Sequence, residues 1–138
     1  MFNAYSKAGL KNLLYFQDKK IVMTDKKILA QKVTDRMMEV DYFSQWMGVK
    51  ILAVDEGYSK IQMTLRKEML NGFGIAHGGI TFALADSAFA FACNSDGKIT
   101  VALDVSISFP KAGKEGDILI AEAKQQSRVV PFARSCTT

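Results

Sequence analysis

Histidine is almost missing from this sequence. His77 stands alone among 138 residues, and the two cysteines, Cys93 and Cys136, are too far apart for a Cys-x-x-Cys pair. A chain with one imidazole and two scattered thiols offers no set of ligands for a structural zinc. Its thiols are expected to stay reduced, as in a cytoplasmic protein. Long apolar runs are missing as well, so no segment reaches the length of a membrane span. The apolar stretch at 13–16 is too short for a secretory signal. The N-terminal lysines with the single Asp18 faintly suggest a transit peptide, but that arm lacks the arginines such peptides carry. The body also lacks an excess of positive charge. Residues 1–36 hold eight Lys/Arg against three Asp/Glu, a net of +5, whereas the remainder holds ten against eleven, a net of −1. The overall +4 therefore belongs to the N-terminal arm. Charge gives no reason to expect a nucleic-acid partner for the body, and a solvated lysine-rich arm is the plainer reading of the rest.

What the sequence does have is concentrated at 71–94. Four glycines, Gly72, Gly74, Gly78 and Gly79, flank the lone histidine. They favour turns and close backbone approach over helix. Fourteen of the following fifteen residues carry no charge, and five of them are alanines, at 83, 85, 88, 90 and 92. Such a segment predicts a helix buried on most sides, with small residues that let a sheet or second helix come near. The exception is Asp86, a poor helix former and a residue seldom buried without a partner. Glycine turn, small-residue helix and one carboxylate together suggest an active site.

Around that centre the chain reads as one domain, because 138 residues suffice for a single core. Residues 1–25 are expected to form a disordered or non-native extension, 26–127 the domain, and 128–138 an irregular tail. From 26 to 47, Leu29, Val33, Met37, Val40, Phe43 and Met47 recur every three or four positions, which predicts one amphipathic helix ending before Gly48. Residues 49–54 and 58–66 read as a hairpin turning at Asp55-Glu56-Gly57, with Ile61, Met63 and Leu65 on the inner face. After the central helix, 101–109 alternates cleanly and 118–124 forms a fourth strand. The pattern stops after Gln126. Hairpins on both sides of one apolar helix give an α+β fold in which an antiparallel sheet wraps the helix.

These residues, in this order, resemble the hotdog-fold acyl-CoA thioesterases of the phenylacetic-acid-degradation, or PaaI-like, type. The resemblance runs from about Phe43 to Gln126. Its most specific part is Asn71-Gly72, His77-Gly78-Gly79 and the run from Leu84 to Ala90 around Asp86, supported by Asp55-Glu56-Gly57, Asn94, Phe109-Pro110 and Gly116-Asp117. It implies acyl-CoA hydrolysis with no cofactor, a catalytic carboxylate at Asp86, and a Gly79 N–H that polarises the thioester carbonyl. Asn71, His77 and Gly78 would shape the substrate turn. The resemblance also implies a homo-oligomer, a dimer or tetramer. The family continues past its fourth strand with one or two more, so the fold is expected to lack those.

Each assignment has a plainer alternative. Asp86 fits a general base or a nucleophile, and also a structural aspartate capping a loop. Gly79 at a helix N-terminus fits an oxyanion donor, and also a tight turn with positive φ. His77 fits the ordering of the turn better than catalysis, and Asn71 a loop hydrogen bond before a substrate contact. Ser87 lacks a Gly-x-Ser-x-Gly frame and sits ten residues from the histidine. Gly72-x-Gly74-x-x-His77 lacks the third glycine of a dinucleotide turn. Lys98, Lys111 and Lys114 suit coenzyme A phosphates or simply the solvated surface. A hotdog hydratase or dehydratase and a non-catalytic acyl-CoA-binding module are the rival functions. Finally, Gly79 and Asp86 are about 10 Å apart along a helix axis at 1.5 Å per residue. A single carbonyl needs both groups near 3 Å, so the site is expected to be shared between two chains.

Overall fold

The computed structural model of the chain describes residues 3–6 and 19–127, with side chains from residue 25. Its elements, in order, are β1 (Asn3–Ser6), α1 (Lys19–Val40), α2 (Tyr42–Met47), β2 (Lys50–Asp55), β3 (Tyr58–Thr64), a 3-10 turn (Lys67–Met69), α3 (Gly78–Cys93), β4 (Thr100–Asp104) and β5 (Ile118–Lys124). The tail at 128–138 and the stretch 7–18 lie outside the described residues.

The core is a three-stranded antiparallel sheet of order β2-β3-β5 laid on α3. The hairpin forms where the alternation predicts it, turning at Gly57, whose φ of 68° suits glycine. Along β3 the pattern closes as expected. Ser59, Ile61 and Met63 are buried, and Leu65 just beyond the strand joins them. β5 pairs with β3 from Tyr58↔Lys124 to Thr64↔Ile118 and turns Leu119, Ala121 and Ala123 toward the same core. From α3 come Leu84, Ala88 and a fully buried Phe91. The result is the α+β arrangement expected, a sheet against one long apolar helix.

Four details differ from expectation. The single helix over 26–47 is two, divided at Asp41. Its φ of −88° and ψ of 77° leave the helix, and its side chain accepts from the Ser44 N–H at 2.9 Å. A short carboxylate that caps the next turn competes with helix continuation. The break also turns the stripe. Ala30, Thr34 and Met47 are buried, while Leu29, Val40 and Phe43 stand half-open, the last stacked on Trp46. The strand expected over 101–109 spans only Thr100–Asp104, and among the described residues it pairs with β1 alone. Alternation shows what a strand could bury; without a neighbouring strand it neither extends nor closes. The N-terminal arm, expected to lack structure, contributes β1 to that open edge, and α1 begins at Lys19, ahead of the expected start.

Candidate active site

The site begins with the turn that carries the chain into α3. Asn71 organises it. Its N–H donates to the Ile75 carbonyl at 2.8 Å, its carbonyl accepts from Gly74 at 3.0 Å, and its Oδ1 accepts from the Phe73 N–H at 2.9 Å. Gly74 takes φ 72°, where a side chain would be strained. The turn is then tied down from both sides. The Ala76 N–H donates to the Gly113 carbonyl, and the His77 N–H to the Met69 carbonyl, at 2.8 and 2.9 Å. Gly113 permits this approach because a Cβ there would lie 2.6 Å from Leu65 Cδ1. A glycine far along the sequence therefore helps set the first turn of α3.

His77 is the N-cap of α3. Its Nδ1 accepts from the Gly79 N–H at 3.1 Å. Both expectations for this pair are sharpened. His77 does order the turn. Gly79 is an ordinary helical residue with no positive φ, so the tight-turn explanation does not apply. The N–H expected to polarise a carbonyl is engaged by the imidazole. The ring is exposed, and turning it away costs one cap bond, about 1 kcal/mol. Beside it, the Phe109 ring packs where a Gly78 side chain would stand, 3.3 Å from its ideal Cβ.

Asp86 is not buried, contrary to expectation. It stands on the exposed side of α3. Leu84, Ser87, Ala88 and Phe91 use up the face that meets the sheet, with Ile80 and Ala83 packed at its margin, and Gly79, Phe82, Asp86 and Ala90 lie on the other, more open one. Desolvation by its surroundings still pushes the Asp86 carboxyl above the ordinary carboxylate range, and the negative charge of Asp41 adds to the rise. A capping aspartate accepts hydrogen bonds from the loop it caps. Asp86 accepts none from the described residues.

One turn beyond Asp86, Ala90 floors an open cleft of about 600 Å³ between α1, α3 and the start of β4. Val33, Met37 and Ile99 line it, and Arg36 and Lys98 stand at its rim. Lys98 therefore sits near the helix, ion-paired with Asp96 at 3.4 Å. Lys111 and Lys114 lie on the exposed turn before β5. Ser87 is buried, with its Oγ 2.8 Å from Ser44 Oγ. Among the described residues no three of His, Cys, Asp and Glu come together as a metal site, and no helix is long and apolar enough to cross a membrane.

The structure thus gathers Asn71, His77, Gly78 and Gly79 into one turn and sets Asp86 almost two helical turns away. Asp41 and Ser44 escaped the sequence reading. Their signal was an Asp-x-x-Ser cap hidden inside an otherwise continuous helical pattern.

Comparison with known proteins bears on the family and the fold. The profile of the thioesterase superfamily matches residues 73–127, from the glycine turn through β5. A protein of Archaeoglobus fulgidus is 45% identical over 97 residues, covering 70% of this chain and 63% of its own length. The acyl-coenzyme A thioesterase PaaI of Escherichia coli is 44% identical over 88 residues, covering 64% and 63%. This chain therefore spans slightly less than two thirds of these relatives. The structure of the E. coli PaaI protein from the phenylacetic acid degradation operon superimposes with a TM-score of 0.70 at 41% identity, over 71% of each chain. A fold built on one helix, a glycine turn at its start and a lone carboxylate on its open face thus has its relatives: the chain belongs to the thioesterase superfamily, as a hotdog-fold domain of the PaaI-like type.

Proposed function

We propose that this protein hydrolyses acyl-CoA thioesters, with aryl- or phenylacetyl-type acyl groups as its substrates. The observation that carries the reading is Asp86: a carboxylate without a hydrogen-bond partner among the described residues, held partly desolvated on the open face of α3. A raised carboxyl beside a cleft is the pattern of a functional group, since fold stability gains nothing from it. As general base, Asp86 takes a proton from water while the water oxygen attacks the thioester carbonyl. The C–S bond then breaks, and the departing thiolate of coenzyme A takes up that proton. Direct attack by the carboxylate, through an anhydride that water opens, uses the same position. The Gly79 N–H, released from His77, supports the oxyanion at the positive end of the helix. Asn71, His77 and Gly78 form the wall around it. The apolar cleft beyond Ala90 suits an aryl group, and Arg36 and Lys98 suit phosphate.

Gly79 and Asp86 cannot both reach one carbonyl from one helix, so the site is shared. Two copies related by a two-fold axis bring Gly79 of one beside Asp86 of the other. Gly79 and Ala90 on the open face let the helices come close, and closed two-fold dimers are the commonest assembly. A tetramer of such dimers keeps the same site. The buried Cys93 thiol and the coenzyme A substrate both suit the cytoplasm.

A thiol-release assay across benzoyl-, phenylacetyl- and short alkanoyl-CoA tests the activity. Release of coenzyme A, fastest with the aryl esters, is the expected result. Binding without release would make this an acyl-CoA-binding module. Hydration of an enoyl-CoA without release would make it a hydratase.

A further inference from the structure

Asp41, Ser44 and Ser87 form a polar cluster beside α3 that the proposed hydrolysis leaves without a task. Asp41 closes α1 and caps α2 with both oxygens. Oδ1 accepts from the Ser44 N–H at 2.9 Å, and Oδ2 accepts from the Ser44 hydroxyl at 2.6 Å. Ser44 Oγ is in turn 2.8 Å from Ser87 Oγ. Ser44 is fully buried and Ser87 nearly so. A hydroxyl carries a single proton, and an ionised carboxylate can only accept. The Ser44 proton is therefore committed to Asp41, and Ser87 must donate to Ser44. The chain has one direction, from Ser87 through Ser44 to the Asp41 carboxylate. Two buried hydroxyls in that place are costly unless satisfied, where an apolar pair would need nothing. The cluster ties α2 to α3 at the residue directly following Asp86.

Charge gives the second observation. Asp86 is the sole charged residue of α3, and the charge that acts on it is that of Asp41. The charged groups on the other elements packed against α3 are engaged with one another or lie at the surface. Lys60 of β3 pairs with Glu122 of β5, which also accepts from the Tyr58 hydroxyl. Arg36 pairs with Glu39 on α1, where Lys32 and Asp35 are exposed, and Lys26 pairs with Glu56. Lys50 and Asp55 flank β2, Lys124 closes β5 and Asp104 closes β4.

We propose that Asp41 is a positioning residue for the site: through the Ser44 and Ser87 hydroxyls it holds α3 at the residue next to Asp86. Its effect on turnover rests on the reading of Asp86 as the catalytic carboxylate; its effect on Asp86 itself does not. A neighbouring negative charge disfavours ionisation of Asp86 and so makes it a stronger base near neutrality.

The test follows the Asp86 carboxyl directly by 13C NMR across pH, its signal assigned by its loss in Asp86→Asn. Asp41→Asn keeps a capping side chain and removes the charge. The Asp86 midpoint is expected to fall, and the acid limb of the kcat/KM profile to move to lower pH with it. Asp41→Ser, a second uncharged cap, must give the same fall. Ser87→Ala leaves the charge and cuts the tie, so kcat is expected to drop severalfold while the midpoint stays. Glu115→Gln, exposed ahead of β5, must change neither. An unmoved midpoint in both Asp41 variants, or an unchanged kcat in Ser87→Ala, overturns the proposal. A midpoint that moves while Asp86→Asn still turns over upholds the coupling and overturns the catalytic reading instead.

Discussion

The two faces of α3 meet different fates. One is sealed by β3 and β5. Leu84, Ala88 and Phe91 pack on Ile61, Met63 and Leu65 there, with almost nothing left to solvent. The other carries Gly79, Phe82, Asp86 and Ala90 and stays partly open. β4 near it exposes Val101 and Leu103 at 67% and 68%. Both faces are apolar in sequence. An apolar residue states that burial is favourable and leaves open what does the burying. Along the closed face the partner is the chain's own sheet. Along the open face the small residues suit a partner from outside, and the one carboxylate sits among them. Stability belongs to the first face, and the proposed chemistry to the second.

That division can be broken in order of effect. Asp86→Asn removes the proposed base and keeps the shape. Hydrolysis should fall by at least about 10²-fold, in kcat rather than in substrate binding, with the fold intact. Steady-state kinetics beside circular dichroism check this. Phe91→Ala reverses the picture. It empties a fully buried ring position and should cost about 3–5 kcal/mol in denaturant unfolding. Leu103→Ser, on the open side, should change unfolding by no more than about 0.5 kcal/mol. It should weaken self-association in sedimentation, because it removes exposed apolar surface.

The smallest expected effect is a pH dependence. The Asp86 carboxyl lies above its unfolded value, so the folded chain holds that proton where the unfolded chain has lost it. Stability from this group is present at low pH and is lost as pH rises from the unfolded to the folded value. Asp86→Asn should abolish that slope and leave the protein slightly more stable at neutral pH. The group is well exposed, so the gain is small. Thermal unfolding of both forms across the acid range measures it.

Much of this was legible in the residues. Ile61, Met63 and Leu65 announced the inner face of β3, and the glycines at 72, 74, 78 and 79 announced the turn before α3. The Asp86 position followed from one charge on an alanine-rich helix. What stayed hidden depended on partners. Asp41 reads as one more residue of an amphipathic helix until its carboxylate is seen on Ser44. The alternation of 101–109 says nothing about which strand lies alongside, so the length of β4 could not be read. Exposure of Asp86 was hidden too, since a helix apolar all round predicts burial whether or not the covering element is in the same chain. The engagement of the Gly79 N–H by His77 was hidden as well, because spacing alone cannot orient an imidazole.

The central claim is that the open face of α3 is one half of a site completed by a second copy. A mixed dimer tests it most directly. One chain carries Asp86→Asn. The other carries Gly79→Pro, which deletes the N–H donor in the first helical turn, where proline is tolerated. Each homodimer should be inactive in thiol release. The mixed dimer should regain one working site, from the intact Gly79 of the first chain and the intact Asp86 of the second. Mixed dimers that form and release no thiol would contradict the account and place the whole site within a single chain.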